Sequence, residues 1–119
     1  MDGKIQELFS VETTSHGPAA VVVLRGEFDI AAEEETENAL ARVLASRPGS
    51  LTIDLRELTF LDSTGLRVLL RLRQQCQEHA CGLSLIRGAP PVDRVFEISG
   101  VASHFTIADG SDRPGTAAA

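Results

Sequence analysis

Apolar residues in this chain fall into short continuous runs separated by stretches with a three-to-four spacing. Ala19-Ala20-Val21-Val22-Val23-Leu24 is a β-branched apolar run of the kind that makes a buried strand, closed by Arg25 and Gly26. Before it, residues 5 to 14 alternate loosely (Ile5, Leu8, Val11) and predict an edge strand, with Gly17-Pro18 as the turn between the two. From 30 to 47 the period becomes helical. Ala32, Thr36, Ala39, Leu40, Val43 and Leu44 share one face, and Pro48-Gly49 stops the run. Leu51-Thr52-Ile53-Asp54-Leu55 predicts a third strand. The helical period returns from Leu66 to Ala80, with Leu66, Leu69, Leu70, Leu72 and Cys76 as the apolar stripe and Arg67, Arg71, Gln74 and Glu78 as a polar row. Gly82 follows as a cap or turn, and Leu83-Ser84-Leu85-Ile86 predicts a short strand. Pro90-Pro91 opens a helix that carries Val92, Val95, Phe96 and Ile98 and ends at Ser99-Gly100. Phe105-Thr106-Ile107 is a candidate last strand.

The order ββαβαβα, with a possible closing strand, calls for crossover connections and a mostly parallel sheet, to which the first hairpin adds an antiparallel edge. The chain has 119 residues, enough for one core, and no internal repeat. The expected organisation is a single domain over 1–108 and a disordered tail over 109–119. Gly, Ser, Asp, Pro and Ala in that tail bury too little surface to offset its ordering entropy. Aromatic residues are only 4% of the chain, so Leu, Val, Ile and Ala must build the core.

Charge narrows the function. The net charge is −6, which disfavours nucleic acid and anionic membrane surfaces, both of which call for clustered Lys and Arg. No apolar run approaches the roughly 20 residues that span a bilayer. The polar start Met1-Asp2-Gly3-Lys4 is not a signal-peptide core, so a cytoplasmic location is expected.

Catalytic signatures are missing. There is no phosphate-binding G-x-x-x-x-G-K-[ST], no dinucleotide G-x-G-x-x-G and no nucleophile elbow. His16, His79 and His104 are scattered. Glu33, Glu34, Glu35 and Glu37 suit the positive end of a helix dipole better than a metal. Cys76 and Cys81 read either as a metal or redox pair or as two small buried apolar side chains; no second Cys or His pair completes a zinc site, which favours the latter. No enzyme, metal or cofactor is expected.

The segment that stands out is Asp62-Ser63-Thr64-Gly65, between a strand region and a strongly amphipathic helix. On the residues alone it reads as an N-cap, since Asp, Ser and Thr are the usual capping residues. Its surroundings add to that. Gly26-Glu27-Phe28-Asp29 follows the second strand, Phe60-Leu61-Asp62-Ser63-Thr64-Gly65-Leu66 follows the third, and Pro91-Val92-Asp93-Arg94-Val95-Phe96-Glu97-Ile98-Ser99-Gly100 lies in the last third. In this order and spacing, over about Val21 to Ile107, the blocks resemble the STAS family, and within it the bacterial anti-sigma factor antagonists.

The resemblance implies an α/β fold: a mixed sheet of four to five strands with helices mainly on one face. It implies a non-enzymatic domain that binds an anti-sigma factor serine kinase and so frees a sigma factor. Phosphorylation by that kinase abolishes binding, and a serine phosphatase reverses the mark. The phosphorylated position carries over to Ser63, with Thr64 as the fallback. The implied partner-binding residues are Asp29, Asp62, Ser63, Thr64, Gly65, Leu66 and Arg67. A different class of function stays open, that of a STAS subunit in a membrane transport complex. The basic row Arg67, Arg71 and Arg73 also has two readings, an acidic partner's counterpart or a balance to the acidic first helix.

Overall fold

The structure, a computed structural model, describes residues 8–110. Its elements are β1 (Phe9–His16), β2 (Ala19–Phe28), a 3₁₀ turn (Ile30–Ala32), α1 (Glu33–Ala45), β3 (Ser50–Leu61), α2 (Ser63–Glu78), β4 (Gly82–Ile86), α3 (Pro90–Ser99), a second 3₁₀ turn (Ala102–His104) and β5 (Ile107–Ala108). The sheet runs β1-β2-β3-β4-β5. β1 is antiparallel to β2, and the remaining pairs are parallel. The mixed five-stranded sheet is therefore the expected one. Residues 5–7 of the expected edge strand and 111–119 of the expected tail lie outside the described residues.

Gly17 closes the hairpin with a φ of 62°, where a two-residue loop demands a positive value. β2 then pairs with β3 from Ala19 opposite Ser50 to Phe28 opposite Leu61, with register shifts after Val23 and Gly26. Gly26 has a φ of 93°, and a Cβ there would lie 2.1 Å from the Leu8 carbonyl oxygen, so this close approach requires glycine. Both strands extend well past their apolar runs.

A strand order that steps steadily across the sheet, with right-handed crossovers, puts α1, α2 and α3 on one face. Ala20, Val22 and Leu24 of β2, Leu51, Ile53 and Leu55 of β3, and Leu85 of β4 point into that layer. They join Leu40, Leu44, Leu69, Leu72, Cys76, Val92 and Phe96 in one core cluster. Burying each large side chain contributes about 1.5–3 kcal/mol, which is what fixes the helices to the sheet.

The opposite face carries paired polar groups beside the buried Val21 and Ile86. Thr52 and Ser84 hydroxyls lie 3.3 Å apart on adjacent strands, and Arg25 bridges Glu12 and Glu57 at 2.8 Å each. Asp54 is buried there and takes the Arg56 guanidinium on both oxygens, at 3.0 and 2.8 Å, as well as the Arg56 N–H at 3.0 Å. The same guanidinium donates to the Gly110 carbonyl at 3.0 Å, and Arg87 reaches Asp109 at 3.4 Å. Phe105 lies outside the last strand, packed edge-on against Phe96 at 5.9 Å between centroids.

Burial pushes the Asp54 carboxyl up, but the Arg56 hydrogen bonds outweigh it and hold the group below the usual carboxylate range. A depressed folded-state pKa adds stability that is full above the unfolded value, near about pH 4, and is lost as pH falls through the folded one. The stability gap between the parent and Asp54→Asn, measured by urea unfolding, is expected to shrink between about pH 6 and about pH 3. A gap independent of pH would show that the ion pair supports nothing.

Candidate functional site

The site forms where β2 and β3 end side by side. Asp29 follows β2 and Asp62 follows β3, each in extended backbone with φ of −124° and −118°. The Asp62 N–H donates to the Phe28 carbonyl at 3.4 Å, which ties the two strand ends together. Each aspartate then caps what comes next. An Asp29 carboxylate oxygen accepts from the Ala31 N–H at 3.0 Å. Asp62 Oδ1 accepts from Thr64 N–H at 2.9 Å and Gly65 N–H at 3.3 Å, satisfying two of the first-turn donors of α2. The capping reading of Asp62 is thus correct. Helix α2 begins at Ser63, one turn before its apolar stripe.

The seven residues implied by the resemblance separate by exposure. Ser63 is exposed, and so is Arg67; Asp29 and Asp62 are half-buried. Thr64, Gly65 and Leu66 are buried. Thr64 is 7% accessible and sits under the cap. Leu66 belongs to the core cluster. At Gly65 a Cβ would lie 2.3 Å from Leu61 Cδ1 and 3.1 Å from Phe28 Cγ, so glycine lets α2 press against the ends of both strands. These three residues position the serine rather than present themselves.

At the helix start Asp62 Oδ1 already takes the N–H groups of Thr64 and Gly65, so these two amides are not open to an added phosphate while the cap holds. The basic row also resolves for two of its members. Arg67 faces Glu33 at 4.0 Å, and Arg71 pairs with Glu37. Both pairs join α2 to α1 with an exposed arginine and a half-buried glutamate, so each contributes about 1 kcal/mol.

Sequence reading missed an apolar fringe. Ile30 is 72% exposed directly after Asp29, Phe60 is 47% exposed two residues before Asp62, and Leu8 is 67% exposed. The Leu8 carbonyl accepts from the Glu27 N–H at 2.8 Å, and Glu27 pairs in register with Phe60. A shallow depression of about 200 Å³ joins Leu8, Glu27, Asp29 and Glu35. Ile30 could have been suspected, since it lies within the motif region but off the helical face of α1. Phe60 gave no signal.

Among the described residues no group of three or more His, Cys, Asp or Glu comes together to hold a metal ion, and no helix is long and apolar enough to cross a membrane.

The STAS domain family model matches residues 10–113. A STAS-domain containing protein of Pseudomonas aeruginosa is 32% identical over 94 residues, covering 79% of this chain and 92% of that protein. The anti-sigma-F factor antagonist RsfB of Mycobacterium tuberculosis is 37% identical over 60 residues, covering 50% of this chain and 49% of RsfB. Among solved structures, an anti-sigma factor antagonist from Mycobacterium paratuberculosis superposes with a TM-score of 0.77 at 26% identity, covering 83% of this chain and 84% of that one.

Gly65→Ala is expected to destabilise the fold by about 2 kcal/mol through overpacking, although alanine is the better helix former by about 1 kcal/mol. Asp62→Ala is expected to cost about 1 kcal/mol through loss of the cap. Urea unfolding measures both, and a stabilised Gly65→Ala would contradict the packing described here.

Proposed function

The chain belongs to the STAS domain family, and on that footing we propose that it acts as an anti-sigma factor antagonist switched at Ser63. Its unphosphorylated form binds an anti-sigma factor that is also a serine kinase, and binding frees a sigma factor. Phosphorylation of Ser63 breaks the complex, and a serine phosphatase restores it. The whole exchange takes place in the cytoplasm, and nucleotide and Mg²⁺ belong to the kinase.

The observation that carries this reading is the exposure of Ser63 on a rigid platform. Its hydroxyl stands at the first position of α2, beside the strand ends, with neighbours that are locked by packing. Thr64 at 7% accessibility is a poor acceptor, because a kinase would have to unwind the helix start to reach it. Arg67 is tied to Glu33 and flanks the serine. The partner face is therefore Asp29, Asp62, Ser63 and Arg67, widened by the exposed Ile30.

A phosphate adds about −1.5 to −2 charge at pH 7. It meets the Asp62 carboxylate, and the Thr64 and Gly65 amides are already taken by that group. A partner that covers this face must desolvate both anions. At about 1.4 kcal/mol per tenfold in affinity, a few kcal/mol of that cost suffices to switch the complex off.

The test uses parent, Ser63→Ala and Ser63→Glu baits in source-cell lysate, with captured proteins identified by mass spectrometry. Parent and Ser63→Ala are expected to retain an ATP-binding anti-sigma factor, and Ser63→Glu to retain at least about tenfold less. Equal capture of that protein by all three removes Ser63 as the switch. Equal capture of transporter subunits instead makes the chain a STAS subunit of a membrane transport complex.

A further inference from the structure

Cys76 and Cys81 take no part in the site at the strand ends. Both are buried free thiols, at the far end of the helix that Ser63 begins. Their spacing follows from how α2 stops. His79 is the C-cap, and Ala80 adopts a φ of 54° in the left-handed region. The Cys81 N–H donates to the Cys76 carbonyl at 2.8 Å, and the Ala80 N–H donates to the Gln77 carbonyl at 3.4 Å. This pair of bonds is a Schellman motif, which also draws together the side chains of the two residues joined by its outer bond. Most chains fill those positions with aliphatic side chains. Here both are cysteines.

The pair is not sealed. Cys76 and Cys81 line one cleft of about 290 Å³, with Arg73 one turn earlier on α2 and Ser103 and His104 across from it. Cys76 is 1% accessible and Cys81 is 7%, so Cys81 is the first to meet a reagent entering the cleft. Burial, reinforced by the neighbouring Cys81, pushes the Cys76 thiol up to about 12, which keeps it protonated until a reaction at Cys81 draws it in.

We propose that Cys76 and Cys81 are a reversible disulfide site that covalently staples the C-terminal cap of α2. With hydrogen peroxide as oxidant, the Cys81 thiol gives up its proton, its sulfur attacks one peroxide oxygen to form a sulfenic acid, and the other oxygen leaves as water. Cys76 sulfur then gives up its proton and attacks Cys81 sulfur, and the sulfenic oxygen leaves as a second water. Two electrons pass from the thiols to the peroxide. A reducing dithiol reverses the bond by exchange, attacking one sulfur and leaving as its own cyclic disulfide. The alternative is a pair of inert thiols that serve only as small apolar packing.

The experiment equilibrates the full chain in buffers of reduced and oxidised dithiothreitol, quenches in acid, alkylates under denaturant and weighs the products. The expected oxidised product is a monomer lighter by two hydrogens, carrying no alkyl group, whose digest links the peptides holding Cys76 and Cys81. The bond should form at least about tenfold more favourably in the folded chain than in the same chain held in guanidinium, because the motif preorganises the pair. Hydrogen peroxide should give the same product, and dithiothreitol should return two alkylatable thiols. A Cys81→Ala chain should show no such mass loss. The parent measurement decides alone if that variant does not fold. Two alkylatable thiols at every poise, intermolecular dimers only, or no preference for the folded chain would each overturn the proposal.

Discussion

The parallel pairing of β2 with β3 is the constraint on which the rest of the structure depends. It holds from Ala19 opposite Ser50 to Phe28 opposite Leu61, so two strands separated by a whole helix stop at the same edge. Because they stop together, the aspartates that follow them stand together, and each sets the start of what comes next. Asp29 seats the turn into α1, and Asp62 seats α2. Gly65 completes the arrangement by letting the first turn of α2 rest on Phe28 and Leu61, one side chain from each strand. The serine is thus held by a sheet register, a cap and a missing Cβ, none of which involves its own hydroxyl.

Packing encloses the strand ends on the helix side and leaves their other side open. Phe28, Leu58 and Leu61 are almost wholly enclosed, while Phe60, between them in sequence, is half exposed. The ion pairs across α1 and α2 sit outside this core. Arg67–Glu33 and Arg71–Glu37 align two partly exposed rows, and at such sites Coulomb attraction is weak against solvent and salt. They orient the helices less than the Leu40, Leu69 and Leu72 side chains beneath them.

Much of this was legible in the sequence, and the misses have physical causes. The runs Ala19–Leu24 and Leu51–Leu55 marked strands because nothing but burial between layers explains them. Their extensions to Phe28 and Leu61 were hidden, since Arg25, Arg56 and Glu57 interrupt the apolar pattern with side chains that pair on the helix-free face. Helical spacing placed the start of α2 at Leu66, whereas its cap places it at Ser63, because capping fixes the backbone before the apolar stripe begins. Phe105 read as part of a strand, but its ring packs on Phe96 and leaves Ile107–Ala108 to pair with Leu85–Ile86. The Asp62-Ser63-Thr64-Gly65 block was visible, yet which of its members face outward was not. That depends on how the first turn of α2 meets the strand ends, and single-sequence periodicity does not encode it. The meaning of the basic row depended likewise on how near α1 lies to α2.

The position of Asp62 bears on what a charge at Ser63 would do. A helix N-terminus normally offers free amides that stabilise an anion, and a phosphate placed there would be partly neutralised where it stands. Here Asp62 holds two of those amides, Thr64 and Gly65, with one oxygen. A phosphate on Ser63 has two courses. It displaces Asp62, giving up a cap that contributes about 1 kcal/mol and freeing a carboxylate beside it, or it leaves the cap intact and relies on water. Either course leaves two anionic groups on the proposed partner face. Water solvates them while the face is open, so the fold loses little. Covering the same face with apolar partner surface removes that water, and an unpaired buried charge is among the costliest things an interface can contain. On the proposed reading, the capping carboxylate is therefore part of the switch: it holds the serine in place and denies the phosphate two first-turn donors that would help make it tolerable under a partner.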